Sequence, residues 1–353
     1  MSILRVGVTG CGVGQSHIRA FQSLPQEFEV VALCDIDLAK AQSIAAELKI
    51  PHVFTDFGEF CGMEELDVID LCTPSFLHAT QTRQAALAGK HVICEKPVAG
   101  SLQEVDELIA LERASNVRIM PIFQYRFGHG IQKLKYLMQE GLAGRAYLST
   151  VETAWRRRAE YYAAPWRGKW ETELGGALVT LAVHAHDMLC YAIGPAKSVF
   201  ARAATMVNPI QVEDCVSASL EMADGSFASL SVTTGSSQQI SRHRFCFSQL
   251  SAESNTEPYN NGADPWIFTG DSPEINTQIQ AALQRFTPQP EGFVGQFTRF
   301  CAALRNQTEL PVTLNDARMS LELITAIYHS AQTGQPVNLP IGKDHPQYAS
   351  WRP

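Results

Sequence analysis

The sequence predicts a two-domain α/β protein, with an N-terminal doubly wound parallel sheet and a C-terminal α/β domain whose large open sheet is mostly antiparallel. Residues 3–120 alternate short apolar runs with helix-like segments, which is typical of parallel strands joined by right-handed crossovers. After Pro121 apolar and polar residues alternate, as in strands with one exposed face. A chain of 353 residues can bury two cores. We therefore predict domains at 1–122 and 123–353.

Strands and helices alternate regularly in the predicted N-terminal domain. The expected strands are Arg5–Val8, Val30–Cys34, Val68–Leu71, His91–Cys94 and Arg118–Pro121. The expected helices are Gln15–Ser23, Leu38–Leu48, His78–Ala88 and Leu102–Ala114.

The C-terminal domain is expected to begin with a helix and to continue into a sheet. Met222–Ser226 has the residues of a hairpin turn, and the polar segment from Gly235 to Pro290 has the weakest strand pattern. Gly334 is expected to stop a final helix. The predicted elements are the helices Ile131–Gln139 and Asp316–Ser330 and the strands Ala146–Glu152, Cys215–Glu221 and Ser226–Thr233.

Composition indicates a soluble protein without a nucleic-acid or membrane partner. Hydrophobic residues make up 45% and charged residues 18% of the chain, and the net charge is -8. Nucleic acids and anionic membranes need a basic face, and the run Arg156–Arg158 is the only concentrated positive patch. The nine cysteines form no C-x-x-C pair, so neither a disulfide framework nor a structural zinc is indicated. Without an apolar run of membrane-spanning length or an export signal, a cytoplasmic location is expected.

A glycine loop follows the first predicted strand and opens the first predicted helix. Glycines there permit a tight turn, and the free N–H groups of the helix can receive a pyrophosphate. The third glycine comes one residue earlier than in the G-x-G-x-x-G pattern, and glycines also serve as plain turns. The candidate cofactor residues of the loop are Gly10, Gly12, Val13, Gly14 and Gln15.

Asp35 lies at the end of the second predicted strand, roughly 20 residues beyond the loop, where an acidic side chain can accept hydrogen bonds from ribose hydroxyls. A carboxylate there would repel the 2′-phosphate of NADP, so NAD is favoured as the cofactor. The alternative is that Asp35 or Asp37 only caps the helix that begins near Leu38.

Three stretches carry a family resemblance. They are Asp70-Leu-Cys-Thr-Pro-Ser-Phe-Leu-His78, Ala88-Gly-Lys-His-Val-Ile-Cys-Glu-Lys-Pro97 and Ala326-Ile-Tyr-His-Ser-Ala-Gln-Thr-Gly334. They resemble the glucose-fructose oxidoreductase, inositol dehydrogenase and MocA (Gfo/Idh/MocA) family, and the likeness extends from the first strand to about residue 340. The Glu-Lys-Pro element is specific, whereas the glycine loop is shared with many dehydrogenases.

The resemblance implies a Rossmann domain and a C-terminal α/β domain whose open sheet forms the interface of a homodimer or homotetramer. It also implies NAD(P)-dependent oxidation or reduction of a sugar, polyol or related substrate, without a metal. By the same likeness, Thr73, Pro74 and His78 would line the path of the adenosine and nicotinamide, and Glu95 and Lys96 would lie near the nicotinamide ribose.

Lys96 is the first candidate catalytic residue. A lysine after a strand is usually solvated, but Glu95 supplies a counter-charge and Pro97 restricts the backbone. An ammonium held in this way can orient a substrate hydroxyl and stabilise developing negative charge.

His184 is the second candidate. The stretch from Gly175 to Asp187 resembles the family's G-G-x-x-x-D-x-G-x-H-x-x-D helix, in which His184 falls at the acid-base histidine. Thr180 replaces the aspartate of that pattern, so the proton relay would rest on Lys96 and His184, and Thr180 could only hydrogen-bond the substrate. Positions four apart share a helix face, so Thr180 and His184 are expected to point together. The structural alternative is that His184 and His186 are buried core histidines; a metal site with Asp187 is not indicated.

Aromatic and basic residues just before this helix are candidates for the substrate side. Trp166 can stack on a sugar ring, and Arg167 can bind hydroxyls or an anion. Tyr125 and Arg126 follow the fifth predicted strand, where a parallel sheet presents ligands. These residues could equally serve a subunit interface or domain packing.

The leading functional interpretation is an NAD-dependent sugar or polyol dehydrogenase or ketoreductase. A second is a redox-neutral glycosidase or lyase in which NAD oxidises a ring hydroxyl transiently. A third is a non-catalytic NAD-binding regulator, since fold does not determine function.

Overall fold

A computed structural model describes residues 3–352. Contacts divide the chain into two compact units. The first unit ends at Ile122 and also includes Phe293–Arg318, and the second comprises Phe123–Gly292 and the chain from Met319 onward. The sequence had predicted Phe293–Arg318 in the C-terminal domain. That prediction is corrected, because the segment packs into the first unit.

The elements are numbered in chain order. Strands β1 to β14 are Leu4–Thr9, Phe28–Cys34, His52–Phe54, Val68–Leu71, His91–Cys94, Ile119–Pro121, Ala146–Arg156, Ala196–Ala204, Cys215–Met222, Phe227–Thr233, Gly235–Phe247, Leu250–Glu253, Ile267–Gly270 and Val337–Asn338. Helices α1 to α13 are Gly14–Gln22, Leu38–Leu48, Phe57–Cys61, His78–Leu87, Leu102–Ala114, His129–Gln139, Ala159–Tyr162, Trp170–Glu173, Ala177–Thr180, Val183–Ile193, Pro273–Arg285, Gly292–Asn306 and Leu314–Thr333.

The first unit contains a six-stranded parallel sheet with the order β3-β2-β1-β4-β5-β6. The predicted doubly wound sheet is confirmed. The strand order reverses between β1 and β4, and at such a switch point a doubly wound fold binds its ligand. Thr9 pairs with Leu71 and Leu71 pairs with Cys94, so the loops after β1, β4 and β5 leave the sheet at one edge.

Three elements of the first unit were not predicted: the long helix α12 and the short elements β3 and α3. Strand β3 has three residues and helix α3 has five, and β3 is a partly exposed edge strand. Neither is long enough to show a hydrophobic period. The predicted boundaries of the other strands and helices before Ile122 agree with the structure to within about two residues. In the rest of the chain, β7 ends at Arg156 rather than Glu152, and α13 ends at Thr333 rather than Ser330.

Helix α12 returns to the first unit because its aromatic residues cover α1. The ring of Phe297 stacks on that of Phe21, with 4.1 Å between the ring centroids. The ring centroids of Phe293 and His17 are 4.3 Å apart. Gln296 donates a hydrogen bond to the Pro121 carbonyl oxygen at 2.8 Å. This helix therefore completes the core on one side of the sheet.

The second unit contains an eight-stranded sheet with the order β13-β12-β11-β7-β10-β9-β8-β14. β7 and β10 pair in parallel, and the other neighbouring pairs are antiparallel. The predicted open, mostly antiparallel sheet and the hairpin between β9 and β10 are confirmed. Strands β11 to β13 lie in the polar segment that had the weakest pattern. The homodimer or homotetramer and the cytoplasmic location stay predictions.

The helix predicted around His184 is broken in two. α9 ends at Thr180 and α10 begins at Val183, and the Ala182 N–H donates to the Ala177 carbonyl oxygen five residues back at 2.9 Å. This wider turn interrupts the helical repeat. The prediction that Thr180 and His184 share one helix face is therefore wrong.

Within residues 3–352, no single helix has the length and apolar character needed to span a membrane. One pair of helical segments bent by 50°, Trp170–Thr180 with Val183–Ile193, meets these criteria by length and composition alone.

Candidate functional site

The glycine loop has the backbone that a dinucleotide needs. Gly10 has φ +94°, and a Cβ on it would overlap the Cys72 carbonyl oxygen. A Cβ on Gly12 would meet no atom within 4 Å, so the loop presents open backbone at that point. Helix α1 follows with Val13 as its N-cap, which makes no side-chain cap hydrogen bond. Because free N–H groups and the positive helix end attract phosphate, this loop fits a pyrophosphate.

Asp35 and Asp37 have different partners. Asp35 Oδ2 accepts the Cys11 N–H at 2.7 Å, and its Oδ1 accepts the Asp37 N–H at 3.0 Å. Asp37 is the N-cap of α2 and accepts the Lys40 N–H. The capping alternative thus applies to Asp37. Asp35 braces the glycine loop and stays partly exposed.

The loop after β4 is held by His78. Its imidazole spans two backbone carbonyl oxygens, Pro97 O at 2.7 Å from Nδ1 and Thr73 O at 2.8 Å from Nε2. Burial lowers the pKa of His78. The Thr73 hydroxyl donates to Gln81, and Pro74 precedes a 3₁₀ turn. His78 therefore lies between the Thr73–Pro74 loop and the backbone beside Lys96, where a neutral ring donates to one of the two carbonyl oxygens.

The Glu95-Lys96-Pro97 segment follows β5 at the same sheet edge as the glycine loop. Glu95 is buried and Lys96 is half-buried. Glu95 Oε2 accepts the Lys96 N–H at 3.1 Å, and the Glu95 N–H donates to Leu71 O at 2.9 Å. The segment is thus fixed to the centre of the sheet.

In the second unit, Glu213 pins the Gly175–Gly176 turn that precedes α9. Its carboxylate accepts the N–H groups of Gly176 and Leu178 at 2.9 Å each and the Tyr328 hydroxyl at 2.8 Å. A Cβ on Gly176 would overlap the Glu213 carbonyl oxygen. Burial raises the pKa of Glu213 to about 7, although these hydrogen bonds oppose the rise. The turn therefore requires both glycine and this carboxyl group.

His184 lies between aromatic rings on α10. Tyr125 stacks on its imidazole at 4.5 Å between centroids, and Phe123 meets it edge to face at 6.2 Å. His184 is 5% exposed. Tyr125, predicted as a substrate contact, thus contacts the candidate acid-base group itself. Thr180 donates its hydroxyl to Gly176 O at 2.8 Å.

Arg126 is engaged in a buried ion pair. Its guanidinium donates to both oxygens of Asp187, at 2.7 and 2.5 Å, and lies 4.9 Å from the Tyr191 ring centroid. Such a bidentate pair is costly to break. Both oxygens of the Asp187 carboxylate are therefore engaged by Arg126.

Arg167 lies against aromatic rings. Its guanidinium is 3.9 Å from the Tyr161 centroid and 4.2 Å from that of Trp166. It donates to the Tyr161 hydroxyl and to buried Glu173, the latter at 3.2 Å. The Trp166 side chain remains partly exposed.

The triple-arginine run is not a single exposed patch. Arg156 is exposed and pairs with Glu160. Arg157 is buried, donates to Gln239 and Tyr259, and lies 4.9 Å from the Trp155 ring centroid. Part of this positive charge therefore lies within the second unit.

His186 is a core residue. It is 1% exposed, and neither ring nitrogen has a hydrogen-bond partner among the described residues. Burial, followed by the neighbouring His243, lowers its pKa to about 3. This environment agrees with the structural alternative stated for His186.

Sequence reasoning missed His17 and Glu213, two buried polar residues beneath the predicted sites. His17 lies on α1 next to Ile18, with Ala20 and Phe21 also buried, so a polar residue on an apolar helix face was the available signal. Glu213 binds a turn 37 residues away along the chain, and no local pattern shows such a partner.

Comparison with known proteins agrees with this geometry. Residues 4–123 match the model of an oxidoreductase family with an NAD-binding Rossmann fold, and residues 131–249 match the Gfo/Idh/MocA C-terminal domain. An uncharacterized oxidoreductase of Synechocystis is 32% identical over 245 residues, covering 65% of this chain and 66% of its own. A D-glucoside 3-dehydrogenase of Escherichia coli is 26% identical over 364 residues, covering 96% and 98%.

A solved structure extends the likeness to nearly the whole chain. The WlbA dehydrogenase of Bordetella pertussis, in complex with NADH and UDP-GlcNAcA, is 29% identical with a TM-score of 0.85, covering 97% of this chain and all of its own. The two family models span most of both units, and the glycine loop fits the cofactor. The chain therefore belongs to the Gfo/Idh/MocA family and is an NAD-binding oxidoreductase.

Proposed function

We propose that this protein transfers a hydride between NAD and a hydroxyl or carbonyl carbon of a sugar, cyclitol or sugar-derived substrate. The observation that carries the proposal is the common edge of the first sheet. There the glycine loop follows β1, Thr73 and Pro74 follow β4, and Lys96 follows β5. A candidate charged catalytic group thus lies at the edge where this fold binds a dinucleotide.

The cofactor site assigned in the proposal uses the open backbone of the glycine loop for the pyrophosphate and the partly exposed Asp35 for the ribose. NAD, when bound, supplies the hydride acceptor or donor. The Asp35 carboxylate supports NAD over NADP because it would repel a 2′-phosphate.

The reacting groups assigned in the proposal are Lys96 and His184. The Lys96 ammonium orients the substrate oxygen and stabilises negative charge on it. His184 accepts the hydroxyl proton in the oxidative direction and returns it in the reverse. Tyr125 supports this role, since its ring fixes the plane of the imidazole.

The substrate class is supported by the relatives. One is named a D-glucoside 3-dehydrogenase, and another was crystallised with NADH and UDP-GlcNAcA. In this chain, Thr180 and the partly exposed Trp166 are assigned to the substrate. Arg126 and Arg167 are assigned to holding the surrounding structure, because both guanidinium groups have close protein partners.

The test follows reduced-nicotinamide absorbance with NAD and a panel of sugars, inositols and sugar acids. Lys96→Met is expected to lower kcat/KM at least about 100-fold, because orientation of the substrate oxygen and stabilisation of its negative charge depend on the lost ammonium. NAD should still bind. Lys343→Met, which removes an exposed lysine, should retain normal turnover.

Two outcomes would change the assignment. Near-normal turnover in Lys96→Met would contradict the role of that residue. A wild-type protein that binds NAD but reduces none of it across the panel would favour the redox-neutral enzyme or the regulator.

A further inference from the structure

His17 lies at the centre of a buried charged cluster beneath the candidate cofactor site. Its side chain is fully buried on α1. Nδ1 lies 2.9 Å from Asp70 Oδ2, and Nε2 lies 3.2 Å from Glu95 Oε1. The Cys72 sulfur is 3.4 Å from Nδ1, and the ring of Phe293 covers the imidazole.

The two carboxylates require a doubly protonated ring. An ionised carboxylate only accepts hydrogen bonds, so with both carboxylates ionised both ring nitrogens of His17 donate. Burial alone would lower the pKa of His17, but the Asp70 carboxylate outweighs it and raises that pKa well above its ordinary value. The cluster is therefore an imidazolium between two carboxylates.

Glu95 connects this cluster to Lys96. One carboxylate oxygen accepts the His17 N–H, and the other accepts the backbone N–H of Lys96 at 3.1 Å. His17 thus holds one oxygen of the Glu95 carboxylate, and the other oxygen holds the backbone from which the Lys96 side chain extends.

We propose that His17 is a positioning residue for Lys96: as an imidazolium bridging Asp70 and Glu95, it keeps Glu95 ionised and holds the Lys96 backbone in place for reaction. The proposal rests on the proposed function. It predicts that loss of the imidazolium changes the charge of the cluster as well as its geometry.

Burial makes the charge balance of this cluster important. With His17 present, one buried cation lies between two buried carboxylates. Without it, Asp70 and Glu95 would face each other across an uncharged side chain. Since two buried carboxylates with no cation between them repel each other, uptake of one proton lowers the cost of burying both.

A metal ion is the competing explanation for the cluster. Among residues 3–352, His17, Asp70 and Cys72 offer three ligand atoms within 4.8 Å of one another. A metal would need a neutral imidazole and a thiolate. Burial and the Asp70 charge raise the pKa of the Cys72 thiol, and the His17 ring is charged, so the surroundings favour the ion pair.

The test compares three full-length variants across pH. His17→Gln should lower kcat about 10- to 100-fold near neutral pH, as for a displaced catalytic group, with little change in the Kd for NAD. Its kcat should rise with pH as the proton taken up by Asp70 or Glu95 is lost. The pH profile of kcat should therefore show an ionisation that the wild-type profile lacks. His17→Gln/Asp70→Asn removes the second carboxylate, so this ionisation should disappear and part of kcat should return.

His91→Gln is the matched control. His91 is a half-buried histidine of the same unit and accepts the Arg118 N–H at 3.0 Å. Its loss should lower stability without changing the pH profile of kcat. A wild-type profile in His17→Gln, or the same loss of kcat in both single variants without a new ionisation, would overturn the proposal.

A second measurement does not depend on turnover. When the lysine amines carry ¹³C-methyl groups, the NMR signal of Lys96 is identified by its absence from Lys96→Met. The pH at which this signal titrates should differ from the wild type in His17→Gln but not in His91→Gln. An unmoved titration would refute the positioning role even in an active enzyme. A moved titration in a protein without dehydrogenase activity would refute only the proposed function. Stoichiometric zinc binding that is lost in His17→Gln and in Cys72→Ser would replace the ion pair with a metal site.

Discussion

At the scale of single residues, the second unit contains a buried histidine with no polar partner among the described residues. His186 lies in the core of α10, and its neutral ring forgoes hydrogen bonds that it would make in water. An unsatisfied buried polar group costs about 1–3 kcal/mol. His186 therefore lowers the stability of the protein.

His186→Met is expected to raise the free energy of unfolding by about 1–2 kcal/mol at neutral pH, because it removes that cost. The gain should grow in acid. The pKa of His186 is about 3 when folded and ordinarily 6.5, so the unfolded chain takes up a proton first as pH falls below 6.5. Urea unfolding at a series of pH values measures both effects.

The control for this experiment is His52→Gln, which changes an exposed histidine of β3. It should leave the stability and its pH dependence close to those of the wild type. A destabilised His186→Met protein with normal folding cooperativity would contradict the assignment of His186 as an unsatisfied core residue.

At the scale of elements, the turn before α9 depends on one carboxyl group. Glu213 is more stable protonated when buried, with a pKa of about 7 against an ordinary 4.5. The unfolded chain releases this proton first as pH rises. The contribution of Glu213 to stability is therefore complete below about 4.5 and is lost as pH rises through about 7.

Glu213→Gln is expected to flatten the fall in stability between these two pH values, since an amide does not ionise. It should also lower overall stability and kcat, because the amide NH₂ would face a backbone N–H of the turn. Urea unfolding and initial rates across pH measure the two effects. Glu221→Gln, a partly exposed residue of β9 paired with Lys197, should retain the wild-type slope; an unchanged slope in Glu213→Gln would contradict the prediction.

The elements also show what the sequence can predict. The hydrophobic period of α2, α5 and β4 predicted their bounds as observed, because each is long or fully buried. The break between Thr180 and Val183 was not predictable from the helical pattern, since α9 is held by Glu213 from the loop that precedes β9. For the site, sequence motifs singled out Lys96 and His184 as candidates, but the ion pairs of Arg126 and His17 depend on partners 61 and 53 residues away.

At the scale of the whole molecule, the first unit is completed by a segment from the other end of the chain. Phe297 is fully buried and stacks on Phe21. Phe297→Ala should lower the free energy of unfolding by about 3–5 kcal/mol through the cavity it creates. Phe227→Ala, at a position 58% exposed, should have little effect.

Differential scanning calorimetry with and without NAD measures this prediction. NAD should raise the unfolding temperature of the Phe297→Ala protein, since a ligand that binds the folded state stabilises it. Equal losses of stability in the Phe297→Ala and Phe227→Ala proteins would contradict the importance of the α1–α12 contact.

The return of Phe293–Arg318 to the first unit limits how relatives of this protein can be recombined. A chimera joined once, after Ile122, would take its glycine loop from one parent and the aromatic cover of α1 from the other. The rings that meet Phe21 would then come from a foreign sequence, whose side-chain volumes need not match. Functional exchange of the cofactor-binding half therefore requires three junctions, at 122/123, 292/293 and 318/319, so that both pieces descend from the same parent.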